Sequence, residues 1–266
     1  MKNFPEPGEL ISYLEDAKAF ARIGGNISSH YFGSQIDVHW KADDSPVTKA
    51  DRESEQAMKK AILEKFPDHS VLGEEFGESG TADSPWQWVL DPIDGTKSFI
   101  HGIPLYTVLV SLTYKKEPVI GVVYNPQSNE MLAAGMGMGC WYNDSACRVS
   151  ETSSLSEARL MTTDPGDLIR RSGNPGIELL KTSAISRTWA DAYGYLLVAT
   201  GRADVMLDPI MSLWDIACLY PIISEAGGEI TDIRGKRGIS DSAVASNGIL
   251  HQEIMSVLGN NEYHQH

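Results

Sequence analysis

Trp88-Val-Leu-Asp-Pro-Ile-Asp-Gly-Thr96 decides how the rest of the chain is read. Trp88 to Leu90 is the apolar end of a buried strand, and Asp91 follows it directly. A carboxylate in that position is poorly hydrated, and converging carboxylates repel one another unless a cation neutralises them. Pro92 lets the chain turn so that Asp91 and Asp94 face one point, and it frees the carbonyl of Ile93 from sheet pairing as a further oxygen donor. Gly95 and Thr96 then open a helix whose free backbone N–H groups suit an anion. Hard oxygen donors select magnesium, with manganese or calcium as alternatives. A metal site and a phosphate site therefore fall side by side. The string Asp-Pro-Ile-Asp-Gly-Thr, with one position free, arises by chance about once in ten thousand chains of this length.

Two further acidic clusters belong with it. Gly73-Glu74-Glu75 follows the apolar pair Val71-Leu72, and Trp214-Asp215 opens a long helical pattern. Taken singly, Glu74 and Glu75 read as solvated loop charges and Asp215 as a helix N-cap. Asp51 with Thr48 likewise reads as the cap of the helix that follows Ser45-Pro-Val-Thr48. Lys41, on the loop before that helix, reads either as a surface lysine or as a group approaching a third metal or the phosphate.

Helices and strands mix along the whole chain. Leu10, Ile11, Leu14, Ala17 and Ala21 recur at helical spacing and predict a helix over Gly8 to Arg22, followed by a Gly- and Ser-bearing stretch. Ala57, Met58, Ala61 and Ile62 predict another over Ala50 to Phe66, stopped by Pro67-Asp68. Trp86 to Leu90, Tyr106 to Tyr114, Val119 to Tyr124 and Glu130 to Ala134 read as adjoining strands of one sheet. The later half predicts a β-like piece at Ala184 to Arg187, a helix from Ala190 to Thr200, a strand at Val205 to Leu207 and a helix from Trp214 to Ala226 ended by Gly227-Gly228. No repeat or long linker interrupts residues 1–266, which read as one unit with an internal division near 151–157.

The 266 residues carry 22 Lys+Arg against 36 Asp+Glu, a net charge of −14. That balance repels phosphate backbones and anionic lipid, so neither nucleic acid nor membrane is an expected partner. The apolar runs are shorter than the roughly 18–20 residues a membrane helix needs. Met1 to Pro7 lacks the apolar core of a secretory signal, and the expected compartment is the cytosol. Cys140, Cys147 and Cys218 match neither a disulfide framework nor a zinc spacing and read as reduced packing residues. His30, His39, His69, His101 and His251 show no paired ligand spacing and read as surface or packing residues.

Ser45-Pro-Val-Thr-Lys-Ala-Asp51, Gly73-Glu-Glu75, Trp88 to Thr96 and Trp214-Asp-Ile-Ala217 occur in the order and separations of one family. In these motifs the chain resembles the inositol monophosphatase-like, magnesium-dependent phosphatases. The resemblance implies an αβαβα layered α/β fold, related to fructose-1,6-bisphosphatase and usually assembled as a homodimer. It implies that Glu74, Asp91 and the Ile93 carbonyl hold a first metal, and that Asp91, Asp94 and Asp215 hold a second. Gly95 and Thr96 would hold phosphate, while Glu74, with Thr96 and Asp51, would orient and deprotonate the attacking water. Two magnesium ions, with a third possible, would offset the charge of a phosphate monoester and of its departing alkoxide.

The substrate is read from Arg187 to Gly194 and Asp204 to Pro209. Aligned on Val198-Ala-Thr-Gly201, Asp191 falls where inositol phosphatases have a small residue, and Asp208 where they have an acid that binds inositol hydroxyls. Two acids facing the leaving group suit one that carries an ammonium and an imidazole. This stretch resembles the histidinol-phosphate phosphatases of histidine biosynthesis. The alternatives are an inositol-1-phosphatase, a 3′-phosphoadenosine 5′-phosphate phosphatase, and a cation-binding interaction protein without turnover. Asp191 could instead only cap its helix. Trp189 and Tyr193 either line the pocket or pack. An aspartyl-nucleophile phosphatase is excluded, because the residue two before Asp94 is Pro92.

Overall fold

The computed structural model describes residues 5–34, 37–41, 46–189 and 191–259. Ala190, where the sequence places a helix start, lies outside them, as does Ser45 of the motif before Asp51. Helix α1 (Pro7–Tyr31) buries Leu10, Leu14, Ala17, Phe20 and Ala21 on one stripe and runs well past Arg22. Gly24 and Gly25 do not end it. A Cβ at Gly24 would stand 2.8 Å from Met58 Sδ, and one at Gly25 2.5 Å from Tyr124 Cε1. These glycines let the helix close onto its neighbours, a need that local propensity does not express.

Strands β1 (Val38–Trp40) and β2 (Pro46–Thr48) form a small ribbon before helix α2 (Lys49–Lys65). Next come β3 (Ser70–Gly73), β4 (Gly77–Gly80), β5 (Trp86–Asp94) and the short helix α3 (Thr96–Ile100). β6 (Thr107–Tyr114), β7 (Glu117–Asn125), β8 (Glu130–Gly135), β9 (Cys140–Tyr142) and β10 (Ser145–Cys147) extend the sheet. Its order is β10-β9-β8-β7-β6-β5-β3-β4, antiparallel except where β3 pairs with β5.

After a 3₁₀ turn at Leu155–Glu157 come β11 (Arg159–Thr162), α4 (Pro165–Ser172), α5 (Asn174–Thr182) and β12 (Ile185–Arg187). The chain continues through α6 (Ala192–Ala199), β13 (Val205–Asp208), α7 (Leu213–Ile216) and α8 (Leu219–Glu225). It ends with β14 (Glu229–Thr231), β15 (Ala243–Ser246) and α9 (His251–Gly259). The second sheet runs β12-β11-β13-β15-β14, with β11 parallel to both its neighbours.

Period-two alternation along the strands builds the layers. Val108, Val110 and Leu112 pack with α1 and α2 on one face of the first sheet. Leu109, Val123 and Leu132 turn to the other face, where Leu196 of α6 and Ile222 of α8 meet them. Met161 and Met206 close that middle layer from the second sheet. Leu160, Val205 and Leu207 face outward onto Leu168, Leu179 and Ile254. The αβαβα arrangement expected from the motifs is therefore present.

The continuous helix expected over Trp214 to Ala226 is broken into α7 and α8. Pro221 has no N–H to give the carbonyl of Ala217 and its ring crowds that carbonyl. At the break, the Cys218 carbonyl lies so close to β7 that a Cβ on Gly121 would stand 2.0 Å from it.

Candidate active site

β5 pairs Asp91 with Leu109 and Asp94 with Thr107, so three steps on one strand answer two on its partner. The extra residue is a bulge at Pro92-Ile93, where a proline in a central strand is tolerated. Leu109 and Thr107 share a face, so the bulge turns Asp91 and Asp94 to one side, that of the middle helical layer. α7 enters there with Asp215. One carboxylate oxygen from each of Asp91, Asp94 and Asp215 lies within 4.8 Å of the others.

Each carboxylate has one oxygen tied to the backbone. Asp91 Oδ1 accepts from Ile93 N (3.0 Å), Asp94 Oδ2 from Ala192 N (2.6 Å) and Asp215 Oδ2 from Ser212 N (2.7 Å). Asp94 Oδ2 also takes the Thr107 hydroxyl at 3.1 Å. These bonds fix the three groups, and Asp91 also lies within hydrogen-bond reach of Glu74 and Asp215. Burial holds all three carboxyls above the usual carboxylate range, and their mutual repulsion, joined by Glu74 at Asp91 and Asp215 and by Asp191 at Asp94 and Asp215, raises them further. Oxygen donors so placed, destabilised as free anions, fit a hard divalent cation.

Glu74 stands at the end of β3, beside Asp91. Lys41 Nζ bridges Glu74 Oε1 and Glu75 Oε1 at 2.7 Å each. It is not a loose surface lysine: burial favours its neutral form, but the two glutamates outweigh this and hold it protonated. Glu55, which sequence reasoning missed, anchors this loop by accepting from Glu75 N (2.7 Å) and Phe76 N (3.0 Å). A Cβ at Gly73 would collide with it at 2.0 Å, so this glycine makes room for the Glu55 carboxylate. Its signal in the sequence is only a helical glutamate, one turn from Asp51.

Asp51 caps α2 as the sequence predicts, accepting from Thr48 N (2.8 Å) and Thr48 Oγ1 (2.6 Å). Burial, then the nearby Glu75 and Glu74, push its pKa up to about 7 against the Thr48 hydrogen bonds. Thr96 Oγ1 donates to the Ile93 carbonyl at 3.0 Å. The expected chain from Glu74 through Thr96 to Asp51 is thus not formed by the hydrogen bonds that Asp51 and Thr96 make among the described residues. The Ile93 carbonyl keeps one lone pair for a metal.

Gly95 precedes α3 with φ +84° and faces Asp191, whose Oδ2 would lie 2.8 Å from a Cβ there. Asp191 has φ 51° and ψ −152°, a conformation costly for any residue but glycine. It makes no side-chain cap to α6, contrary to the capping alternative. The strained turn is held by Ala192 N on Asp94 and by Asp191 N on Thr163 Oγ1 (3.1 Å). Burial pushes the Asp191 carboxyl up to about 6, opposed by Lys97. Asp208, at the end of β13, is buried near Asp191 and Asp215 and is pushed up to about 7 against hydrogen bonds from Thr163 and Tyr195. Tyr193 does not line this pocket: its hydroxyl donates to Glu130 Oε2 at 2.9 Å. Trp189 is half-exposed. His30, His39 and His101 lie at the surface, while His69 and His251 are buried in hydrogen bonds.

A model of the inositol monophosphatase family matches residues 10–263. The chain belongs to the inositol monophosphatase family. It is 38% identical over 253 residues to a histidinol-phosphatase of Chlorobaculum parvum, covering 94% of this chain and 97% of that one. It is 34% identical to a fructose-1,6-bisphosphatase/inositol-1-monophosphatase of Aquifex aeolicus, covering 93% and 96%. The solved structure of Thermotoga maritima IMPase TM1415 superposes with a TM-score of 0.85 at 30% identity, covering 94% and 97%. Membership makes this chain a phosphoric monoester hydrolase of a metal-dependent family. No helix among the described residues is long and apolar enough to cross a membrane.

Proposed function

We propose that the chain is a magnesium-dependent phosphatase that hydrolyses L-histidinol phosphate to L-histidinol and phosphate. The observation that carries this is Asp191, held in a strained backbone with its carboxylate over Gly95 and Asp208 close by. Strain at a non-glycine residue persists only where its surroundings impose it, and here they aim an acid at the phosphate loop. An acid pair beyond the phosphate suits a cationic leaving group, and the histidinol-phosphatase relative supports the same choice.

Asp91, Asp94, Asp215, Glu74 and the Ile93 carbonyl would hold two magnesium ions, a third being weaker; manganese would fit the same donors. Bound metal supplies charge neutralisation of the ester and its alkoxide, and acidifies water. The backbone N–H groups of Gly95 and Thr96 bind the phosphate oxygens. Glu74 uses Oε2, the oxygen that Lys41 does not hold, to take a proton from the attacking water, with Asp51 and Thr96 holding the walls of that site in place. Asp191 and Asp208 orient the leaving group. A homodimer in the cytosol is the expected working form.

The Aquifex aeolicus relative favours one alternative, inositol-1-phosphate, in which Asp208 takes ring hydroxyls and Asp191 is incidental. Inorganic phosphate release with magnesium, from L-histidinol phosphate beside inositol-1-phosphate and 3′-phosphoadenosine 5′-phosphate, separates these readings. A higher kcat/KM for histidinol phosphate is expected. Preference for inositol-1-phosphate would overturn the substrate assignment and keep the metal chemistry, and silence on all three would favour a binding protein.

A further inference from the structure

The β9–β10 hairpin holds a pair of thiols that ester hydrolysis does not use. Asn143 and Asp144, with φ 45° and 64°, make its two-residue turn. The register places Tyr142 opposite Ser145, Trp141 opposite Ala146 and Cys140 opposite Cys147. Hydrogen-bonded and non-hydrogen-bonded pairs alternate back from such a turn, so Cys140 and Cys147 form a hydrogen-bonded pair with Cα atoms about 5.5 Å apart. That lies inside the roughly 4.4–6.8 Å that a disulfide spans, and directly opposed residues project from the same face of the ladder. The Cβ atoms of a hydrogen-bonded pair stand about 5.5 Å apart, beyond the roughly 3.5–4.5 Å of a relaxed bridge, so the disulfide forms under strain and is readily reduced.

The two thiols are not equivalent. Cys140 is buried in the middle layer, while Cys147 is half-buried at its margin. The interaction with Cys147, and then burial, hold the Cys140 proton more tightly. The same interaction, assisted by the Arg202 guanidinium, lowers Cys147. Arg202 is fixed in place by Glu130 (2.7 Å) and lies over the Tyr142 ring at 5.1 Å. A half-buried thiol near a guanidinium, with a second thiol directly opposed to it across the ladder, is the arrangement of a reactive and a resolving cysteine.

We propose that Cys147 and Cys140 are a reversible dithiol site, in which Cys147 reacts with a peroxide and Cys140 resolves the product as an intramolecular disulfide. The Cys147 thiolate attacks a peroxide oxygen, the O–O bond breaks, and the leaving hydroxide takes a proton to give water and a sulfenic acid. The Cys140 sulfur then attacks Cys147, the S–O bond breaks, and the Cys140 proton leaves with the hydroxyl as a second water. Two thiols are oxidised and one hydrogen peroxide is reduced to two waters. The site is independent of which ester the enzyme hydrolyses.

The test uses the full chain, reduced, treated with low equivalents of hydrogen peroxide, alkylated and digested with trypsin. Lys116 and Arg148 bracket both cysteines, so one peptide, residues 117–148, carries the pair. The expected result is that this peptide loses both alkylation sites and becomes lighter by two hydrogens, and that dithiothreitol restores it. Buried Cys218 is the internal control and stays a thiol. Cys140→Ser should stop Cys147 at a sulfenic acid that dimedone traps, and Cys147→Ser should leave Cys140 reduced. Cys147 passing to sulfinic acid beside a free Cys140, or oxidation of all three cysteines at one rate, would overturn the proposal. So would no oxidation at peroxide levels that oxidise free glutathione.

Discussion

Asp191→Asn tests the substrate assignment most directly, because it keeps the side chain's shape and its polar reach while removing the charge. A hydrogen bond to a charged group contributes about 1.5–3 kcal/mol, so losing the charge opposite an ammonium should lower kcat/KM for histidinol phosphate about ten- to hundredfold. Two other effects act on every ester alike. The Asp191 carboxylate sits over Gly95, where a phosphate would bind, and its removal relieves repulsion toward that anion. After burial, Asp191 is also the first electrostatic cause of the raised Asp94 pKa, so the variant eases ionisation of a proposed metal ligand. Activity on inositol-1-phosphate should therefore hold or rise slightly. The assay is phosphate release at saturating magnesium, with kcat/KM taken for both esters on wild type and variant. A parallel fall on both substrates, or a ratio unchanged within about twofold, would refute leaving-group recognition by Asp191.

Asp91→Asn should abolish magnesium-dependent turnover and weaken magnesium binding in titration calorimetry; near-native affinity would remove the metal assignment. In chelator, stability should fall between pH about 4 and about 7. Folding raises Asp51 and Asp208 from 3.8 to about 7, so the folded state keeps protons there that the unfolded chain has released. Their contribution is complete below the unfolded value and is lost as pH rises through 7, which thermal melts at pH 5 and 7.5 would show as a lower Tm at the higher pH. Glu55→Ala strands the Glu75 and Phe76 N–H groups and removes the carboxylate partner of Lys59, which keeps the Gly77 carbonyl, and should cost about 3 kcal/mol in urea unfolding together with weaker metal binding. Gly121→Ala drives a methyl onto the Cys218 carbonyl and should lower stability by about 3 kcal/mol, with the loss visible in the same unfolding curves.

Local chemistry was legible where it is carried by adjacent residues. Thr48 and Asp51 form the expected cap because a capping box closes over three residues, whatever surrounds it. The helix ending near Phe66 and the meander from Trp86 to Ala134 follow from periodicity and turn residues. The extension of α1 through Gly24-Gly25 was hidden, since those glycines answer to Met58 and Tyr124, both distant in sequence. The break before α8 did have a local signal in Pro221, outweighed by an apolar run that continues across it.

By itself the sequence determined the acidic string at Asp91 to Thr96, and with it the expectation of metal and phosphate chemistry there, because those donors lie within one turn of chain. Tertiary structure decided what distance brings together. It set the bulge that turns Asp91 and Asp94 to one side, the approach of Asp215 from α7 and the strained Asp191 over Gly95. It also set Lys41 between Glu74 and Glu75, the Glu55 anchor beneath them, and the opposition of Cys140 to Cys147. The physical reason is that register and layer packing are fixed by burial summed over the whole chain, and no short window of sequence contains that sum.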